Sequence, residues 1–121
     1  MLGIVMDQRI TAKEVVQGQL DAYNAHDLER FVAWYAESVL VYQAGKVEPL
    51  LQGRAALAAH YASKRFNLPN LHAELLNRMV IGNKVIDHER VVGVGEHSIE
   101  VAAAYEVINE SIKRVWFFNP S

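Results

Sequence analysis

The chain of 121 residues contains no cysteine. That excludes disulfides, thiolate metal sites and thiol nucleophiles, and it fits a reducing compartment, so a cytoplasmic location is expected. Long hydrophobic runs are also missing. Met1 to Met6 is apolar but too short and has no basic flank, so neither a signal segment nor a membrane partner is expected. Neither sign of charge dominates: 12 Lys and Arg stand against 14 Asp and Glu, a net charge of -2. The small group Arg54, Lys64 and Arg65 cannot form a phosphate-tracking surface, and no nucleic-acid partner is expected. No Pro/Ser-rich linker, repeat or low-complexity tract divides the sequence, so residues 1–121 are expected to form one domain.

What is present is hydrophobic residue, at 51% of the chain, enough to build a core without metal or disulfide support. Thr11 and Glu14 have capping-box spacing, and Val15, Val16, Gln19, Leu20 and Tyr23 follow at helical intervals, predicting a helix over Ala12 to Asn24. Asp27 can cap a short second helix with Leu28, Phe31, Val32 and Tyr35 on its apolar stripe. A strand is predicted over Val39 to Gln43 and a third helix over Arg54 to Phe66. Four strands then follow: His72 to Ile81, Lys84 to Val92, Ser98 to Ile108 and Ile112 to Phe118. Helices first and hairpins afterwards indicate an α+β domain with an antiparallel sheet.

The hairpin over 72–92 carries the chemistry. With Gly82-Asn83 as a two-residue turn, Val80 lies near Val85 and Arg78 near Asp87, with Glu89 a diagonal step away. Alternation divides the hairpin into two faces. One holds His72, Glu74, Leu76, Arg78, Val80, Val85, Asp87, Glu89 and Val91; the other holds Ala73, Leu75, Asn77, Met79, Ile81, Ile86, His88, Arg90 and Val92. Local hydrophobicity favours the second face as core, which would make Arg78, Asp87 and Glu89 a solvated ladder. Alternation sends His88 away from Asp87 and Glu89, and the other histidines have no ligand spacing, so no metal and no other cofactor is expected. Gly93-Val94-Gly95 joins strands, which makes it a turn and not a phosphate cradle.

Four segments carry a resemblance in order along the chain: Tyr23-Asn24-Ala25-His26-Asp27-Leu28, Tyr35-Ala36-Glu37-Ser38, Gln52-Gly53-Arg54-Ala55-Ala56-Leu57 and Ile112-Lys113-Arg114-Val115-Trp116. Together they resemble the nuclear transport factor 2-like, or SnoaL-like, superfamily and its steroid isomerase-like branch. The resemblance implies a cystatin-like roll, a cone-shaped and strongly bent antiparallel sheet closed by three helices from the N-terminal half. It also implies a homodimer through the outer sheet face and a cavity for a small molecule. Its members include isomerases, cyclases, epoxide hydrolases, dehydratases and noncatalytic binders, so it implies no single activity.

Aligned on those segments, Gln43 stands where an isomerase has its Asp base, Gln19 where it has its Tyr donor, and Ala103 where it has its late acid. Only a supporting tyrosine, Tyr61, is retained. Glutamine cannot take a proton near neutral pH, so the familiar isomerase apparatus is excluded. The resemblance instead turns the Asp87 face inward. Asp87 or Glu89 is then the candidate base and Arg78 the residue that orients it, while Gln19, Tyr35, Gln43, Tyr61, His72 and Tyr105 are candidate substrate-binding residues. Tyr105 is placed inward by its alternation with Val101, Ala103 and Val107. The resulting expectation is a small-molecule-binding protein, either a cofactor-free acid/base enzyme acting on a largely apolar substrate or a noncatalytic binding or dimeric assembly module.

Overall fold

The structure is a computed structural model and describes residues 10–120. Its first helix, α1 (Ala12–Asn24), begins on the predicted capping box, with the Glu14 amide donating to the Thr11 hydroxyl and the Thr11 amide to the Glu14 carboxylate. The buried side of α1 is Val15, Val16, Gln19, Leu20, Ala22 and Tyr23. Asp27 caps α2 (Leu28–Ala33) by accepting the Arg30 amide. Then come β1 (Tyr35–Gln43), the short β2 (Leu51–Gln52), α3 (Arg54–Lys64), β3 (His72–Ile81), β4 (Lys84–Val92), β5 (Ile99–Ile108) and β6 (Ser111–Phe118).

The six strands form one sheet in the order β2-β1-β6-β5-β4-β3. Strands β3 to β6 are a meander of antiparallel hairpins, which brings β6 alongside β1 in the same direction, the one parallel pair among the described strands of an otherwise antiparallel sheet. β1 starts four residues before the predicted Val39, because Tyr35 already pairs with Ile112 ahead of an irregularity that ends at Leu40. The helices pack on one face of the bent sheet. Phe31 of α2 sits among Tyr23, Tyr35, Tyr61 and Phe66, with ring centroids 4.8 to 5.8 Å away. Burial of such large rings adds to that of Val15, Val16, Leu20 and Leu57 in the helical layer.

At the helical corner, the Asn24 side-chain amide donates to the Ala73 carbonyl and accepts the Ala73 amide. These bonds occupy backbone groups of β3, the edge strand, and fix its start against α1. The β3–β4 turn is the predicted Gly82-Asn83, with Gly82 at φ 58, where a Cβ would be strained. From there the register follows expectation: Val80 opposes Val85 and Arg78 opposes Asp87. A bulge at Leu76 then shifts the pairing between Leu75 and Asn77, and the N-terminal part of β3 changes phase. Ala73 is buried, and His72 and Glu74 are exposed, the reverse of strict alternation. His72 is therefore corrected from a cavity residue to a residue on the outer face.

Candidate functional site

Burial along β4 decides the orientation of the hairpin. Val85, Asp87, Glu89 and Val91 are buried, whereas Ile86, His88, Arg90 and Val92 face outward. His88 pairs there with Glu100 at 2.7 Å and with Asn77 at 3.0 Å, apart from the two acids as alternation requires. No group of metal-ligating side chains occurs among the described residues.

The two inward acids have different surroundings. Asp87 is fully buried and bonded by both arms of Arg78, Nε to Oδ1 at 2.7 Å and Nη2 to Oδ2 at 2.9 Å. The third arm, Nη1, donates to Gln17 Oε1 at 2.8 Å, which ties the pair to α1. The Asp87 contact holds the guanidinium above its ordinary pKa. The pair is held by two charge-assisted hydrogen bonds and is out of contact with solvent on the Asp87 side. Neither Asp87 nor Arg78 reaches the cavity wall.

Glu89 does reach it. A cavity of about 350 Å³ lies between the helices and the sheet, with Glu89, Gln19, Tyr23, Tyr61 and Tyr105 among its polar lining and Val91, Val101 and Phe117 among its apolar lining. Glu89 is only 7% exposed, and its Oε2 is buried with no hydrogen-bond partner among the described residues. Burial, reinforced by the negative charge of Asp87 and opposed by Arg78, pushes its carboxyl from 4.5 up to about 7. One acid of the hairpin is thus locked in an ion pair, and the other is poised to exchange a proton near neutral pH.

Gln19 organises the polar wall beside it. Its Oε1 accepts the Tyr35 hydroxyl at 2.9 Å, while its Nε2 donates to the Val16 carbonyl at 3.1 Å and to the Tyr105 hydroxyl at 3.4 Å. Tyr105 is an acceptor in this chain, so its own O–H remains available to a ligand oxygen. Tyr35 stands behind Gln19 and does not line the cavity, so its candidate role as a direct substrate contact is corrected to one of holding Gln19. Desolvation raises the Tyr35, Tyr61 and Tyr105 hydroxyls well above their usual range and Tyr23 to about 12, which keeps all four protonated.

The candidates Gln19, Gln43, Tyr61, Tyr105 and Glu89 therefore share one cavity, and Asp87, Arg78, Tyr35 and His72 do not border it. Ala103 is fully buried opposite Asp87 and does not line the cavity. Sequence reasoning missed Arg65 and Asn119. Arg65 caps the end of α3 four residues after Tyr61, and its amide donates to the Tyr61 carbonyl, a spacing that sequence alone displays. Asn119 lies just past β6 and donates to Gln43 Oε1 at 2.8 Å, a contact between segments that no local pattern reports.

Comparison with known proteins agrees with this architecture. The model of the SnoaL-like domain matches residues 16–115, and the chain belongs to that family. A cystatin-fold protein from Novosphingobium aromaticivorans is similar over 90% of this chain and 98% of its own, at 20% identity and a TM-score of 0.82. A candidate ketosteroid isomerase from Kribbella flavida is similar over 91% and 78%, at 18% identity and a TM-score of 0.79. An LEH-like epoxide hydrolase from M. tuberculosis is similar over 90% and 82%, at 14% identity and a TM-score of 0.71. At these identities the likeness is one of fold. No curated protein matches the sequence significantly.

Proposed function

We propose that the chain binds a small, largely apolar molecule in the cavity and performs acid/base chemistry on it through Glu89. The observation that supports this most is the Glu89 carboxyl itself, buried at the cavity wall, unpartnered at Oε2 and raised to about 7. A group with that pKa donates a proton below neutrality and accepts one above it. Tyr105 and Tyr61 present hydroxyl donors to the same cavity, suited to an oxygen on which negative charge develops. Asp87 and Arg78 act as positioning residues behind Glu89: the first raises its pKa, and the second limits the rise. Isomerisation, cyclisation and epoxide opening all fit one proton-transferring acid with neutral donors, and the isomerase and hydrolase names among the fold neighbours make these the reactions to assay first.

The test is a panel of unsaturated ketones, epoxides and polyketide-like phenols, screened first for thermal stabilisation and then for turnover. Glu89→Gln is expected to keep ligand stabilisation and lose turnover by a factor of about 100 or more. Equal turnover by the variant removes Glu89 as the proton-transfer group. A second reading, a noncatalytic binder, draws on the sequestration of Asp87, which leaves the cavity one acid instead of two. Stabilisation by ligands without turnover of any of them would favour it.

We further propose a homodimer through the outer sheet face. An apolar row, Met79-Ile86-Ala104-Trp116-Tyr42, runs in register across β3, β4, β5, β6 and β1 on that face. The charged row Lys84-Glu106-Arg114 borders it on one side. An apolar centre with a polar rim is the composition of a self-complementary interface.

A further inference from the structure

The cavity is chemically uneven from its mouth to its depth. Glu89, at 7% exposure, marks the inner end; Leu50, a lining residue 61% exposed, marks an end that opens to solvent. Arg65 is a partly exposed lining residue immediately after α3 and the one arginine on the cavity wall among the described residues. Arg78, Arg90 and Arg114 each pair with a carboxylate on the sheet, yet Arg65 has no carboxylate partner among the described residues. Its Nη1 donates to the Lys64 carbonyl at 2.9 Å. That contact and a side-chain hydrogen bond with the Tyr23 hydroxyl are to neutral groups, so they use part of the five N–H donors of the guanidinium and leave its charge without a carboxylate.

The titratable groups on the wall that Arg65 acts on are His60, Tyr23 and Tyr61. His60, also on the wall, has its pKa lowered first by desolvation and then by Arg65 and Lys64, and so it offers a neutral ring at neutral pH. Tyr23 is acted on by both Arg65 and Glu89, whereas the charges that act on Glu89 are Asp87 and Arg78. Exposure separates the two groups: Glu89 is buried, whereas Arg65 is partly exposed and His60 exposed, with Tyr23 and Tyr61 within reach of both.

We propose that the cavity selects an amphipathic carboxylate, its headgroup paired with Arg65 beside His60 at the mouth and its apolar body directed inward toward Glu89. This rests on the binding function proposed above and adds the substrate class. A guanidinium fork matches a carboxylate in two parallel hydrogen bonds, and an anion held there stays clear of the inner acid. The mostly apolar lining between the two ends takes the hydrocarbon body.

The experiment is calorimetric titration of the whole chain with 2-naphthoate and with 2-naphthamide, which share an apolar body and differ in headgroup charge. At about pH 6 the naphthoate is ionised while Glu89 is mostly protonated. The carboxylate is expected to bind about tenfold or more tighter than the amide, and the preference should fall to about twofold in Arg65→Gln and persist in Glu89→Gln. Equal binding of the two probes, or a preference that survives Arg65→Gln, overturns the anion assignment and leaves apolar binding intact. A preference lost in Glu89→Gln but kept in Arg65→Gln would place the headgroup at the wrong end and also overturn it. Binding of neither probe overturns both this inference and the binding function.

Discussion

Glu89 couples the site to stability through its proton. In the folded chain its carboxyl titrates at about 7, and in the unfolded chain near the ordinary 4.5. Because the folded value is raised, the contribution is fully present below about 4.5 and is lost as pH rises through about 7. At about 1.4 kcal/mol per pKa unit, the loss across that window is on the order of 3 kcal/mol. Denaturant unfolding between pH 5 and pH 8 should show this decline, and Glu89→Gln should flatten that contribution and be more stable than the parent at pH 8. A parent stability that rises over the window would contradict the buried, proton-holding carboxyl. The neighbouring pair gives a second check by carbon-detected NMR titration. Asp87→Asn should move the Glu89 midpoint downward by removing a negative neighbour, and Arg78→Met should move it upward. Arg78→Met should also destabilise the fold by about 3 kcal/mol or more, because Asp87 is left buried without its partner.

Elements meet at contacts that tolerate little change. Gly18 in α1 faces the Trp34 ring so closely that a Cβ there would fall inside it. Gly18→Ala is expected to cost about 1–3 kcal/mol through overpacking, despite the better helix propensity of alanine. In a Trp34→Leu background the clash is removed and the same substitution should gain about 1 kcal/mol, a sign reversal measurable by thermal unfolding. The element scale also shows what the sequence made legible. The capping box, the Asp27 cap, the Gly82-Asn83 turn and the Arg78 to Asp87 register each depend on neighbours a few residues apart, and all are present. The bulge depends on how β3 must bend beneath α1, yet it has a trace: the adjacent Leu75-Leu76 interrupts the polar and apolar alternation of His72 to Glu74. Reading that doubling as a phase change would have placed Ala73 inward and His72 outward.

At the scale of the whole molecule, the inner face of β4 was recoverable only by weighing two opposed signals. Local apolar content favoured Ile86, His88 and Val92 as core, while the resemblance favoured Asp87 and Glu89, and the structure buries the acids. The apolar excess on the other side is the row ending in Trp116 and Tyr42, whose rings stack with centroids 6.0 Å apart. If that row joins two copies, Trp116→Glu within it should convert a dimer to a monomer in sedimentation equilibrium while far-ultraviolet circular dichroism stays unchanged. A parent that sediments as a monomer at about 100 μM would remove the dimer proposal. The charged border, Lys84, Glu106 and Arg114, should contribute less and in a salt-dependent way.

The parallel pairing of β1 with β6 also imposes an order in time. During synthesis β1 is made before the other described strands, but its long partner β6 is made after all of them, so β1 must wait until the β3 to β5 segment and β6 have been produced. The β3 to β6 meander can add each hairpin as it appears. Closure between the early strand and the late one is then a long-range search, the kind of step that slows folding, and until it occurs one side of β6 remains an open edge.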